Sequence, residues 1–175
     1  MDNLVEQVVK RKKNGKYYMN VFLIIFATIA IPGLLFALGF IYQAYFVYIS
    51  IFVFLFCVYG AWFFITSLKI EYEYSSLGGT FRVDKIIAKR NRKKVLKFDL
   101  KIVDEIFHYT DEEMAKRKFN KVFSVGAQEY SEDNCVIVFQ SEAKGKCAVV
   151  FTPNEKMLNG IRPYLKHDVI RAFYK

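Results

Sequence analysis

The residues best suited to chemistry are few and scattered. Two histidines, His108 and His167, and three cysteines, Cys57, Cys135 and Cys147, are the available soft-metal ligands and thiol nucleophiles. A zinc site draws on close pairs of the C-x-x-C or H-x-x-x-H kind, and neither spacing occurs. Neither a nucleophile elbow, nor a phosphate loop, nor a dinucleotide fingerprint is present, and Gly78-Gly79 reads only as a turn. Catalysis needs an acid, a base and a nucleophile to converge. The sequence nominates no such set, so the expectation is a protein that is not an enzyme, with no metal and no cofactor. His108 and His167 read as ordinary strand-end and helix-surface residues. Cys135 and Cys147 share the inward parity of adjacent strands and read as buried, reduced thiols near one another.

The chemistry that the sequence does advertise is cationic. Lys89, Arg90, Arg92, Lys93 and Lys94 crowd one short run, and Lys10, Arg11, Lys12, Lys13 and Lys16 crowd another; the net charge is +9. Cations close to a membrane attract anionic lipid. Solvated lysines at a hairpin tip also discourage edge-to-edge pairing, which is the bland reading of the same run. Basic charge serves nucleic-acid binding too. Here the acidic patches Asp111–Glu113 and Glu129–Asp133 interrupt it, so no nucleic-acid partner is expected.

The elements that carry these cations follow from an uneven distribution of charge. The chain is 54% hydrophobic and 18% aromatic, which excludes disorder, and its three cysteines exclude a disulfide scaffold. Residues 17–68 contain no Asp, Glu, Lys or Arg. As one helix they would be about 78 Å long, against a hydrocarbon core of about 30 Å. The stretch must turn back, and polarity rises at Tyr42-Gln43-Ala44-Tyr45. Spans of about 21–42 and 46–68 are predicted. A signal peptide would be shorter and would not run into a second span. Cations flank both outer ends and the turn has none, so both termini are expected in the cytoplasm. With no Asp, Glu, Lys, Arg or His inside the spans, a transport role is not expected. Gly33-x-x-x-Ala37 and Gly60-Ala61 are the small residues expected to let the two helices approach, and Pro32 is a candidate kink.

Residues 1–20 read as a cytoplasmic arm. Leu4, Val5, Val8 and Val9 recur at helical spacing, which suggests a short amphipathic helix on the inner leaflet, or a frayed tail whose cations set topology. Residues 69–175 carry 21 Lys and Arg against 15 Asp and Glu, and their apolar period shortens to two. Strands are predicted around 70–74, 81–87, 96–100, 103–109, 122–125, 135–139 and 147–151. Phe81, Val83 and Ile87 line one face of the second of these, broken only by Lys85. Asp111–Lys118 reads as a loop or a short exposed helix. Thr152-Pro153-Asn154-Glu155 reads as a capping box opening a final helix, which Pro163 should break or kink. Seven strands and a helix, in that order, predict an α+β protein: a two-helix transmembrane hairpin followed by a seven-strand pleckstrin-homology-like β-barrel with a C-terminal helix.

Three segments carry a family likeness: Glu73-Tyr74-Ser75; Asp84-Lys85-Ile86-Ile87-Ala88-Lys89-Arg90 with the basic run behind it; and Phe151 to Leu158. With the hairpin-then-domain layout, they make the chain resemble a bacterial family of small two-span membrane proteins of unknown function. It is similar in layout to membrane-tethered bacterial pleckstrin-homology-like proteins. The resemblance implies the fold and brings no activity, cofactor or catalytic residue. In lipid-binding relatives of that fold the first turn is basic; here Ser75-Ser76-Leu77-Gly78-Gly79 has no cation, which argues against headgroup recognition of that kind. The expected role is a membrane-anchored binding domain for a protein partner or anionic lipid. The groove between a barrel edge and the terminal helix is a candidate peptide site. The alternative is a structural subunit of a membrane complex with no free ligand.

Overall fold

A computed structural model describes residues 4–41, 44–128 and 131–173. The chain divides into two compact units, residues 13–69 and residues 1–12 with 70–175.

The first unit is a pair of packed helices, α1 (Gly15–Ile41) and α2 (Tyr45–Ser67). Both are long and apolar enough to cross a membrane by length and composition. Their apolar side chains point outward on every side: Phe40, Phe52 and Phe56 are each more than 70% exposed. Four hydroxyls are satisfied within the helices. The hydroxyls of Thr28, Ser50, Thr66 and Ser67 donate to carbonyls three or four residues earlier, at 2.6–2.8 Å. The close approach is not at the expected glycines. A Cβ added at Gly33 or Gly60 would meet nothing within 4 Å, whereas one at Gly39 would meet Val47 Cγ2 at 2.5 Å and its backbone nitrogen at 3.0 Å. Helix α1 runs unbroken through Pro32. Of the predicted turn, Tyr42 and Gln43 lie outside the described residues.

Among the described residues the second unit holds eight strands in two four-stranded sheets. The first sheet is β1 (Val5–Lys10), β2 (Ile70–Leu77), β3 (Thr80–Ile87) and β4 (Asn91–Asp99), antiparallel in that order. The second contains β5 (Val103–His108), β6 (Lys121–Ser124), β7 (Cys135–Ser141) and β8 (Gly145–Phe151), in the order β5-β7-β8-β6, with β6 parallel to β8. The strands predicted from the alternation are β2 to β8. Their closure into one barrel is not observed. Between β4 and β5 the chain makes a 3-10 turn over Leu100–Ile102, pinned by the Lys101 N–H on Asp99 Oδ1 and the Leu100 N–H on Gly79 O. The edge is broken there, and two sheets result.

The eighth strand corrects the reading of the N-terminal arm. Val5–Lys10 is neither an amphipathic helix nor a tail; it pairs over its whole length with β2, from Val5 opposite Ser76 to Lys10 opposite Glu71. Val5 and Val9 enter the core, while Leu4 and Val8 stay exposed. The helical hairpin is therefore an insertion between two adjacent, hydrogen-bonded strands of one sheet.

The core lies between the sheets. Tyr74, Phe81 and Val83 meet Ile137, Val149 and Phe151, and Phe98 stacks on Phe139 with centroids 4.2 Å apart. Phe81 meets Phe151 at 5.5 Å. The second sheet is buried on both faces, which explains the unbroken apolar runs of β7 and β8. Helix α3 (Asp111–Ala115) and the residues after it supply Met114 and Phe119 to the far face, over Val136, Val138, Ala148 and Val150.

After β8, helix α4 (Glu155–Ile161) gives Met157 and Ile161 to the core. Its N-cap is Asn154, whose side chain accepts from the Met157 N–H at 2.8 Å. Thr152 was the expected cap; its hydroxyl instead accepts from the Ala127 N–H and donates to Asn134 Oδ1. The helix gives way to a 3-10 turn at Arg162–Tyr164, where Pro163 was predicted to interrupt it, and α5 (His167–Phe173) follows.

Candidate functional site

The basic run forms the turn between β3 and β4. Ile87 faces Asn91 across it, and the Arg90 N–H bonds the Ile87 carbonyl at 3.0 Å. Ala88 and Lys89 stand between them with φ of 55° and 57°, the left-handed region that side chains with a Cβ normally avoid. The two-residue turn between β2 and β3 has the same sense and uses Gly78 and Gly79. The basic turn thus holds a conformation that favours glycine while presenting alanine and lysine.

Structure splits the five cations. A bulge at Val95 breaks the register, so that Val83 faces Leu96 while Asp84 faces Lys94. Without it, Lys94 and Arg92 would share the inward face of Leu96 and Phe98. With it they turn outward, and Lys93, itself exposed, takes the face of Lys85. On the outer face Arg92 pairs with Glu73 at 3.1 Å, and Lys94 lies opposite Asp84. Asp84 is itself held by Arg82 at 2.6 Å, and the Asp84 carboxylate raises the Arg82 pKa. On the inner face Lys93 stands directly opposite Lys85, which stands opposite the buried Tyr72. Lys85 is the residue that the run-based reading passed over. Its signal was visible as the lysine that interrupts the apolar face of Phe81, Val83 and Ile87.

The arm cations divide too. Lys10 faces Glu71 across β1 and β2. The Arg11 N–H bonds the Ile70 carbonyl at 3.0 Å, and its guanidinium donates to the Tyr72 hydroxyl at 3.2 Å. The Lys12 N–H bonds the Ala127 carbonyl at 2.7 Å. Lys13 and Lys16 belong to the helical unit, where the Lys13 ammonium lies 5.1 Å from the centre of the Tyr17 ring.

The other candidates sit elsewhere. Cys135 is opposite Phe151 and Cys147 is opposite Phe139, so the two thiols are four register positions apart, about 13 Å along the strands. They are not the neighbours that shared parity suggested. Burial pushes the Cys135 thiol up to about 11, which leaves it protonated and unreactive at neutral pH. Its sulfur lies 3.8 Å from His108 Nδ1, and the His108 ring stacks on Phe173 at 4.9 Å. Helix α5 packs on β5, so the predicted peptide groove at that edge carries the chain's own helix. Arg117 ties α3 to β5: it pairs with Glu113 at 2.5 Å and Glu105 at 2.7 Å and lies over Phe107. With Arg117 and Lys116 beside it, the Glu113 carboxyl falls to about 2.

Two curved sheets packed face to face and closed by a terminal helix define a pleckstrin-homology-like domain, here interrupted by an apolar helical pair. The chain belongs to the family described as Bacterial PH-like domain (DUF6106), whose profile matches residues 1–171. No curated protein and no solved structure matches it.

Proposed function

We propose that the helical pair crosses the cell membrane with both ends in the cytoplasm, and that the domain is a non-catalytic binding module for anionic lipid. One observation carries the reading: the Arg11–Ile70 hydrogen bond, which closes the two ends of the insertion against each other. An insertion whose ends meet in one sheet must cross an even number of times. The cations flanking the spans select the cytoplasmic side. The Ile70 end of β2 is paired with Ile87, and Ile87 with Asn91. The basic turn thus leaves the sheet at the same end as both connections, about two strand spacings, or 10 Å, from β2. The connections are short, 11–14 before α1 and 68–69 after α2. Lys89, Arg90 and their neighbours are therefore read as headgroup contacts, with Lys10 and Arg11 at the same end of the sheet.

The test is photo-crosslinking from the full chain in nanodiscs, with benzoylphenylalanine at Arg90 and, as the control, at Leu77 on the far β2–β3 turn. Crosslinks to lipid from position 90, stronger with phosphatidylglycerol than with phosphatidylcholine, are expected. Equal lipid yields from both positions would sink the reading. A stoichiometric protein crosslink in native membranes, with none to lipid, would make the chain a subunit of a membrane complex.

A further inference from the structure

We propose that Lys85 and Lys93, with the Tyr72 hydroxyl beside them, form a site for a phosphate group on the inner face of the first sheet. The site lies at the end of the sheet from which the helical insertion departs.

The first ground is a pair of like charges placed directly opposite each other, Lys85 on β3 and Lys93 on β4. Directly opposite residues have Cβ atoms about 5 Å apart, and like charges so placed destabilise a sheet. The neighbouring acids are turned the other way. Glu71, Glu73 and Asp84 alternate onto the outer face, where Arg92 holds Glu73 and Arg82 holds Asp84. Among the described residues neither Lys85 nor Lys93 forms an ion pair. An anion between the two ammonium groups would turn this repulsion into attraction.

The second ground is a donor left over. Tyr72 is 4% exposed and lies beside Lys85 in register. Its hydroxyl oxygen accepts from Arg11 Nη1 at 3.2 Å. A hydroxyl that accepts one bond still has its own proton to give. Two lysines and a phenol stand in register on neighbouring strands of one face. A tetrahedral phosphate offers enough acceptor oxygens for them, and its double negative charge matches the two lysines.

The third ground is the bulge at Val95. It is this one extra residue in β4 that brings Lys93, and not Lys94, to the face of Lys85. Bulges re-aim side chains in this way beside functional sites.

The phosphate can belong to a lipid headgroup or to a soluble molecule, and the site rests on the membrane reading above only in the first case. The test uses the full chain in phosphatidylcholine nanodiscs at matched ionic strength. One arm adds sodium phosphate or pyrophosphate; the other replaces part of the lipid with phosphatidic acid. The readout is the thermal unfolding midpoint, for the wild type, for the double variant Lys85→Gln/Lys93→Gln and for Lys94→Gln. Saturating ligand is expected to raise the wild-type midpoint by about 5 °C or more. The double variant should start above the wild type, because the repulsion is gone, and should not respond. Lys94→Gln should respond like the wild type. A shift with soluble phosphate identifies a free anion, and a shift with phosphatidic acid alone identifies a headgroup. A wild type that moves in neither arm, or a double variant that keeps the shift, overturns the site. Because soluble phosphate is tested without anionic lipid, a failed lipid crosslink at position 90 and a failed phosphate response are separate results.

Discussion

The backbone N–H of Arg11 donates to the carbonyl of Ile70 at 3.0 Å, although the whole helical hairpin lies between them in sequence. A side-chain clasp reinforces this seam. The Gln7 amide donates to the Thr152 carbonyl at 3.0 Å and accepts from the Asn154 N–H at 2.9 Å, so β1 is bound both to β2 and to the start of α4. Replacing Gln7 by Ala removes both bonds and is expected to cost about 1–3 kcal/mol. Chemical unfolding of the domain in the full chain, followed by circular dichroism, measures it; an unchanged midpoint would mean that the clasp contributes nothing.

Removing β1 altogether is a different perturbation. A fragment of residues 70–175 leaves the edge of β2 unpaired, and such edges recruit other chains. That fragment should aggregate, whereas residues 1–12 joined to 70–175 by a short flexible linker should elute as a monomer. Size-exclusion chromatography distinguishes the two, and a monodisperse 70–175 fragment would contradict the assignment of β1.

Tyr74 supplies a pH dependence. Its hydroxyl donates to the Val125 carbonyl at 2.6 Å inside the core, and burial pushes its pKa well above the ordinary phenol value. The unfolded phenol loses its proton near pH 10, while the folded one keeps it. The folded state then binds more protons, so stability is intact below about pH 10 and falls as pH rises beyond it. Tyr74→Phe should flatten that alkaline loss. At neutral pH the same variant should cost about 1–3 kcal/mol, because the Val125 carbonyl loses a buried partner.

Ser76 offers the opposite sign. Its hydroxyl is buried on the inward face of β2 with no hydrogen-bond partner among the described residues. An unsatisfied buried hydroxyl contributes a desolvation penalty, so Ser76→Ala should leave stability unchanged or raise it by about 1 kcal/mol. A loss above about 1 kcal/mol would reveal a partner for that oxygen.

The hairpin can be tested through two glycines. Gly39→Ala drives a methyl group into Val47, backbone included, and should cost about 1–3 kcal/mol. Gly60→Ala meets open space and should be neutral within about 0.5 kcal/mol. Thermal unfolding in detergent micelles compares them; equal effects would refute the packing at Gly39.

Much of the fold was legible because alternation survives wherever one face is wet. Glu71 and Glu73 mark β2 as clearly as Tyr72 and Tyr74 do, and the charge-free stretch announces its own solvent. The N-terminal arm failed for a definite reason. Val5 and Val9 are four residues apart, a spacing that fits a helix face and a strand face equally well, and the strand that decides between them lies beyond the hairpin. The division of the basic run between two faces was hidden by the bulge. Alternation from Phe98 and Leu96 points Lys94 inward, and only the pairing of Asp84 with Lys94 shows that the phase has slipped. The barrel failed at Leu100–Ile102, because a short break between two strands has no periodicity of its own to read.

The insertion between β1 and β2 has a consequence in time. During synthesis β1 is made first, yet its partner strand is made only after both apolar helices. Its seat on β2 therefore does not exist until the hairpin has been translated, and, on the proposed topology, the seam can close only if both ends of the hairpin return to the same compartment. On that topology, assembly of the domain is conditional on how the helical pair was inserted. A chain whose second helix stayed behind would strand β1 on one side of the bilayer and β2 on the other, with an open sheet edge to mark it for removal.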